Sequence, residues 1–239
     1  MYSDADAAAL YDGLNPWGPS DDFYLSFVMD APSVLDVGCG TGRLLHRARA
    51  AGHTGRLCGV DPDVAALERA RRRAGIEWVE ASAADMAWDR EFALAVMASN
   101  VFQVFVTDQE LGASLAATRA ALVDGGRLVF GTRNPRVRAW GGWNPANPFD
   151  VVDHAGRELQ VSHQVESVAG DVVTLTETTA TRTGDPLRVD RGSLRFLDVE
   201  GIDAFLGVAG FEVEARHGDW SRGPLTGSSD NIVTVTRAA

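Results

Sequence analysis

The sequence predicts an α/β fold: a mostly parallel β-sheet with helices on both faces, interrupted late in the chain by an antiparallel three-stranded elaboration. Three observations carry this expectation. Between residues 33 and 135 five short β-branched runs alternate with helical stretches, as parallel strands joined by crossover helices do. A glycine-dense turn, Gly38-Cys39-Gly40-Thr41-Gly42, follows the first run directly. After Pro135 polar and apolar residues alternate between Gly-Asp punctuation marks, the pattern of antiparallel hairpins.

Taken in order, residues 1–32 hold "LYDGLNPWGPSDDFYLSFV", with Tyr11, Trp17, Phe23 and Tyr24. This segment is expected to form a helical lid, although an amphipathic helix packing on the core gives the same pattern. Residues 33–135 form the expected core, with strands at "SVLDV", "RLCGV", "IEWVE", "ALAVMAS" and "RLVFG". Between the last two, Leu111, Leu115, Thr118 and Leu122 recur at helical spacing, with Thr107–Asp108 as the start signal and Gly125–Gly126 as the stop. Residues 136–198 read as an aromatic and glycine-rich loop, "RAWGGWNPANPFD", followed by three strands. Residues 199–239 supply one more helix and two closing strands, "FEVEARHG" and "NIVTVTR".

With 45% hydrophobic and 23% charged residues the chain has ordinary material for a buried core. Its 22 Lys and Arg against 33 Asp and Glu leave a net charge of −11, which repels nucleic acid and anionic membranes alike. The one basic cluster, Arg69, Arg71, Arg72 and Arg73, is expected to be a solvated face late in a helix, where it complements the helix dipole. Cys39 and Cys58 lack metal-ligand spacing and support neither a metal nor a disulfide framework. No apolar stretch is long enough to span a bilayer, and the acidic start "MYSDADAAAL" is unlike an export signal, so a cytoplasmic location is expected.

The glycine turn lets main chain approach a ligand that any Cβ would push away, while the helix behind it offers free N–H groups. The dinucleotide fingerprint fails because Arg43 stands where its third glycine belongs, and no Gly-Lys-Ser/Thr follows to make a phosphate-binding loop. Asp36 beside the turn suits a cationic ligand end, an ammonium or sulfonium; its bland role is to accept N–H groups of its own turn. Asp61, ending the second strand in "GVDPD", stands where an acidic side chain bonds a ribose diol. The competing role is a helix N-cap with Pro62 at the first helical position. Asp85, in the loop "EASAADM", can accept from an exocyclic adenine amine while Met86 packs on the ring.

The series "VLDVGCGTG", "VDPD", "SAADM", "ASNVFQVF" and "LVDGGRLVFGT" resembles the motifs of class I S-adenosylmethionine-dependent methyltransferases over about residues 33 to 135. The resemblance implies a Rossmann-like, seven-stranded sheet whose last strand is antiparallel, and S-adenosylmethionine as cofactor. It assigns Asp36, Gly38, Gly40 and Gly42 to the methionine end, Asp61 with Pro62 to the ribose, and Asp85 with Met86 to the adenine. Ser99 and Asn100 would line the methionine portion and the mouth of the acceptor pocket. The sequence departs from the family at Ala93, where an acidic residue is frequent. No proline follows Asn100, unlike the Pro-Pro motif of nucleic-acid adenine methyltransferases, so the expected partner is a small-molecule acceptor methylated on N or O. The inserted strands resemble those of small-molecule methyltransferases, some acting on amino sugars, and serve as acceptor side or oligomer contact, with a homodimer as the expected assembly.

In-line transfer from an activated methyl needs alignment and exclusion of water more than acid–base machinery. If a general base is used, His217 is the leading candidate because its strand end should reach the ligand edge, ahead of His154 and His163. Tyr11, Trp17, Trp140, Trp143 and His154 are the expected acceptor-pocket residues. The alternatives are a nicotinamide-dependent oxidoreductase, disfavoured by Arg43 and Asp36, and a non-catalytic adenosyl-binding protein.

Overall fold

A computed structural model describes residues 2–239. Helices α1 (Asp4–Leu14) and α2 (Pro19–Asp30) precede β1 (Ser33–Val37), α3 (Arg43–Ala50), β2 (Arg56–Asp61), α4 (Val64–Ala70), β3 (Glu77–Glu80), β4 (Phe92–Met97), α5 (Asp108–Ala121) and β5 (Leu122–Arg133). The inserted strands are β6 (Phe149–Val152), β7 (Glu158–Ala169), β8 (Val172–Thr181) and β9 (Pro186–Arg195), and the chain closes with α6 (Val199–Ala209), β10 (Phe211–His217) and β11 (Asn231–Ala238).

The main sheet has seven strands in the order β10-β11-β5-β4-β1-β2-β3. β1 to β5 pair in parallel, and β11 runs antiparallel to both β5 and β10. The central strands are buried on both sides, which is why they read as continuous apolar runs instead of alternating ones. On one face Leu35, Val37, Met97 and Phe130 pack against Leu111 and Leu115 of α5 and Ile202 and Leu206 of α6. On the other, Val34, Val96 and Val129 pack against Leu45 and Ala48 of α3 and Phe23, Tyr24 and Val28 of α2.

Three expectations change. The N-terminal segment is not a lid throughout: α2 is a core helix, with Tyr24 and Val28 inaccessible to solvent. Only α1 and the Tyr2 that precedes it reach across, setting Tyr2 and Leu10 against Leu159 and Val161 of the inserted sheet. The insertion has four strands instead of three, in the order β6-β7-β8-β9. The extra strand is the four-residue run Phe149–Val152, too short to show alternation and masked by the Asn-Pro-rich loop before it. Finally, α5 starts as expected, Thr107 and Glu110 forming a reciprocal capping box, but it ends at Ala121. Gly125 and Gly126 lie inside β5, where the pairing with β4 shifts from Phe92↔Leu122 to Leu94↔Arg127 and the glycines absorb the extra residues.

The carboxyl ends of β1, β2, β4 and β5 lie along one edge of the sheet, and the turns that follow them build the site.

Candidate functional site

The turn after β1 is held from within. The Gly38 and Cys39 N–H groups donate to the Val60 carbonyl at 2.8 and 3.1 Å, and the Gly42 N–H to the Cys39 carbonyl at 2.9 Å. Gly38, Gly40 and Gly42 have φ of 72°, 52° and 75°, left-handed backbone that favours glycine. Their surroundings differ. A Cβ on Gly42 would lie 2.2 Å from Trp78 Cη2 and one on Gly38 2.5 Å from Val101 Cγ2, whereas one on Gly40 would meet nothing within 4 Å. Two glycines thus admit side chains of the protein, and Gly40 alone faces open space where a ligand can touch main chain. Gly42→Ala is therefore expected to destabilise the fold by about 2 kcal/mol or more, roughly 4 °C or more in melting temperature. Gly40→Ala incurs only the left-handed strain of about 1–2 kcal/mol. Thermal denaturation of the two variants checks the order.

Asp61, 9% exposed, ties the turn to β2: its Oδ2 accepts the Gly40 N–H at 2.7 Å and its Oδ1 the Asp63 N–H at 2.8 Å. The N-cap of α4 is Asp63, which accepts from the Ala65 and Ala66 N–H groups. Asp61 is therefore not the cap, and Pro62 precedes the cap instead of opening the helix. A carboxylate offers about four acceptor sites, so both oxygens of Asp61 keep capacity for hydroxyl donors. Burial raises its pKa despite the two N–H bonds that lower it.

Asp36 is 2% exposed, and its Oδ1 has no hydrogen-bond partner among the described residues. The glycine-turn N–H groups that it might have accepted go to Val60 and Asp61. Burial first, and the Asp61 charge second, push its pKa up to about 8. A buried, unpaired carboxyl group on the inner side of the turn is a costly arrangement for the protein alone. A cationic ligand end removes that cost.

The Ala81 N–H donates to the Asp61 carbonyl at 3.3 Å, setting the β3 loop beside β2. There Asp85 stands exposed in a short 3-10 turn, accepting from the Ser82 hydroxyl at 2.6 Å, and Met86 rests half-buried on the core. Ser99 and Asn100 follow β4 with φ of 51° and 63°, two consecutive non-glycine residues in left-handed backbone. Such a pair is strained and marks functional turns. Together the structure places Asp36, the three glycines, Asp61, Pro62, Asp85, Met86, Ser99 and Asn100 on consecutive turns of one sheet edge.

The expected acceptor residues separate. Trp143 lies with its ring 5.4 Å from the Arg133 guanidinium carbon at the end of β5, and Tyr11 of α1 acts on the same guanidinium. Trp140 packs edge-on against Phe196 at 4.5 Å and lines a shallow groove with Pro135 and Leu197, away from the glycine turn. Trp17 donates from Nε1 to Asp22 at 2.7 Å and is flanked by Arg43 and Arg47, on the outer flank of α3. His154 is exposed on the β6–β7 turn, 3.7 Å from Asp6. His217 ends β10, four strands from β1, about 19 Å at ~4.8 Å per strand, and stands edge-on to Phe23 of α2. Neither histidine is brought to the turn.

Several residues escape sequence reading. Asp12 of α1 accepts the Thr41 hydroxyl at 2.6 Å and pairs with Arg69 at 3.3 Å, anchoring α1 to the glycine turn. Gln103, fully buried, accepts the Arg133 N–H at 3.1 Å and its Nη1 at 3.3 Å, and donates to the Arg195 carbonyl at 2.9 Å. Nothing in the local sequence marks these partners, which are 29 to 92 residues apart.

The strand order, with its one antiparallel strand, and the acidic residues ranked along the glycine-turn edge define a class I S-adenosylmethionine-dependent methyltransferase fold. Residues 34–126 match the family model described as a methyltransferase domain. A 2-phytyl-1,4-naphtoquinone methyltransferase from Nostoc sp. is 33% identical over 138 residues; the match covers 49% of this chain and 60% of that protein's length. Among solved structures, an S-adenosylmethionine-dependent methyltransferase from Clostridium acetobutylicum superposes with a TM-score of 0.77 at 16% identity, covering 98% of each chain. An S-adenosylmethionine-bound amino pentose methyltransferase from Micromonospora echinaspora, involved in calicheamicin biosynthesis, gives 0.71 at 22% identity over 100% of this chain and 98% of that one. At these identities the structures establish the shared fold. S-adenosylmethionine is the cofactor of this class, and the open face of Gly40, the unpaired Asp36 and the spare acceptor capacity of Asp61 fit it.

Proposed function

We propose that this chain transfers the methyl group of S-adenosylmethionine to a nitrogen or oxygen of a small-molecule acceptor. The observation that carries the reading is the buried Asp36 carboxyl without a partner, beside Asp61 and the one glycine of the turn that faces open space. The bound cofactor supplies a sulfonium-activated methyl. The residues do the rest: Asp36 meets the methionine ammonium, Gly40 gives main chain close approach, and Asp61 accepts the ribose hydroxyls. Asp85 takes the adenine amine with Met86 on the ring, while Ser99 and Asn100 hold the methionine portion in line with the acceptor. Proximity and orientation of this kind supply several kcal/mol of barrier reduction, about 7 or more for a near-attack geometry.

The acceptor side is bounded by α1, the β5 end and Trp143. The amino pentose methyltransferase shares the fold, and the small-molecule acceptor in its name supports a small molecule over a macromolecule here. Proton loss from the acceptor does not pass through His217 or His154 in this reading, since both stand outside the site.

Titration calorimetry with S-adenosylhomocysteine and with NAD tests the proposal, followed by labelled-methyl transfer to a panel of amines, phenols and sugars. Binding of the adenosyl compound and label in at least one acceptor are expected. Saturable NAD binding with no response to S-adenosylhomocysteine overturns the reading.

A further inference from the structure

Arg133 closes β5 at the ligand edge and is largely withdrawn from solvent, yet no carboxylate lies within salt-bridge distance of it among the described residues. Most arginines of this acidic chain that are held away from solvent behave differently: Arg195 pairs with Asp108 and Asp171, Arg216 with Asp203, and Arg43 with Asp21. Arg133 is instead fixed by neutral groups. The Gln103 carboxamide oxygen accepts from both its main-chain N–H and its Nη1, and the Trp143 ring stands 5.4 Å from Cζ. Burial depresses its pKa, and the Tyr11 phenol opposes that trend. A guanidinium held by a buried amide and an aromatic face, with donors left over and no anion, is preorganised for one.

From this cluster we infer that Arg133, with Trp143 and Tyr11, is the binding site for a carboxylate on the methyl acceptor, so that the acceptor is a small amino or hydroxy acid. The inference rests on the proposed methyl transfer for the role of the ligand but not for its chemistry. A carboxylate matches the site better than a phosphate ester, because a single unpaired positive charge is available and His163, whose ring stands 6.3 Å from that of Trp143, is already committed to Glu177 at 2.9 Å. The size follows from the sheet. β4 and β5 are neighbours about 4.8 Å apart, so an acceptor atom over the Ser99–Asn100 turn and a carboxylate at Arg133 belong to one compact molecule. The other anion that a methyltransferase binds here is the methionine carboxylate of the cofactor itself, and the test must separate the two.

The probes are benzoate, benzamide and phenyl phosphate, titrated calorimetrically into the full chain saturated with S-adenosylhomocysteine, for wild type, Arg133→Met and Arg133→Lys. The expected result is saturable benzoate binding, at least tenfold weaker with benzamide and with Arg133→Met, and partly restored in Arg133→Lys. S-adenosylhomocysteine affinity should change less than threefold in either variant. Benzoate binding equal in wild type and Arg133→Met, or absent from both, overturns the inference. Tighter binding of phenyl phosphate than of benzoate overturns the carboxylate class. A tenfold or greater loss of S-adenosylhomocysteine affinity in Arg133→Met assigns the site to the cofactor instead of the acceptor. If wild type fails to bind S-adenosylhomocysteine at all, it is the methyl-transfer reading that falls, and benzoate binding by the free chain still decides the fate of the arginine site.

Discussion

Asp61→Ala is expected to weaken S-adenosylhomocysteine binding about 100-fold or more while lowering the melting temperature of the free protein by only a few degrees. Two ribose hydroxyls donating to one carboxylate contribute on the order of 1.5–3 kcal/mol each, so their loss dominates affinity. The loss of stability is smaller because two effects oppose. The Gly40 and Asp63 N–H groups lose their acceptor, but the Asp61 charge that raises the Asp36 pKa disappears with it. Asp63→Ala should give the converse: removing the cap of α4 costs about 1 kcal/mol, roughly 2–4 °C, with cofactor affinity unchanged within threefold. Calorimetry and thermal melts of the two variants side by side check this. Parallel losses of affinity and stability in Asp61→Ala would mean that the residue only braces the turn.

The second large effect concerns Asp36. In the free protein its carboxyl holds a proton up to about pH 8, whereas in the unfolded chain it ionises near 3.8. Between those values the folded state binds the extra proton, so this group makes stability fall as pH rises from about 4 to about 8 and has no further effect above. Asp36→Asn removes the dependence. At 1.36 kcal/mol per pKa unit the full shift sets a ceiling of about 6 kcal/mol. The variant should therefore melt several degrees above wild type at pH 8, with the gap narrowing towards pH 4. Its affinity for S-adenosylhomocysteine should fall at least tenfold, because an amide cannot balance the ligand's ammonium. A variant less stable than wild type at pH 8, or one that binds the ligand equally well, would show that Asp36 is a structural acceptor after all. With both results as expected, the residue would trade apo stability for binding, as functional sites often do.

Much of the cofactor half was legible because its signals are local. A strand followed by glycines, an acidic residue closing the next strand, and an acidic turn after the third are each contained within a few residues, and the parallel alternation orders them along one edge. The acceptor half was less legible. His217 looked well placed because it ends a strand at the right edge, but the strand order puts β11, β5 and β4 between it and the turn. Trp17 of the expected lid and Trp143 of the aromatic loop were both expected at the acceptor pocket; one lies outside α3 and the other faces Arg133. The fourth inserted strand was hidden because Phe149–Val152 pairs with β7 through main-chain bonds that four residues cannot advertise.

By itself, then, the sequence determined the alternation of strands and helices, the glycine turn with its acidic companions, and through them the class of ligand. All of these follow from backbone preferences and periodicities that act over a few neighbouring residues. The tertiary structure decided which glycine of the turn faces open space, that Asp63 and not Asp61 caps α4, and that among the described residues Asp36 has no partner and Arg133 no counter-ion. Those outcomes depend on groups far apart in the chain, since burial and pairing of a charge are properties of the packed surroundings and not of the residue that bears it.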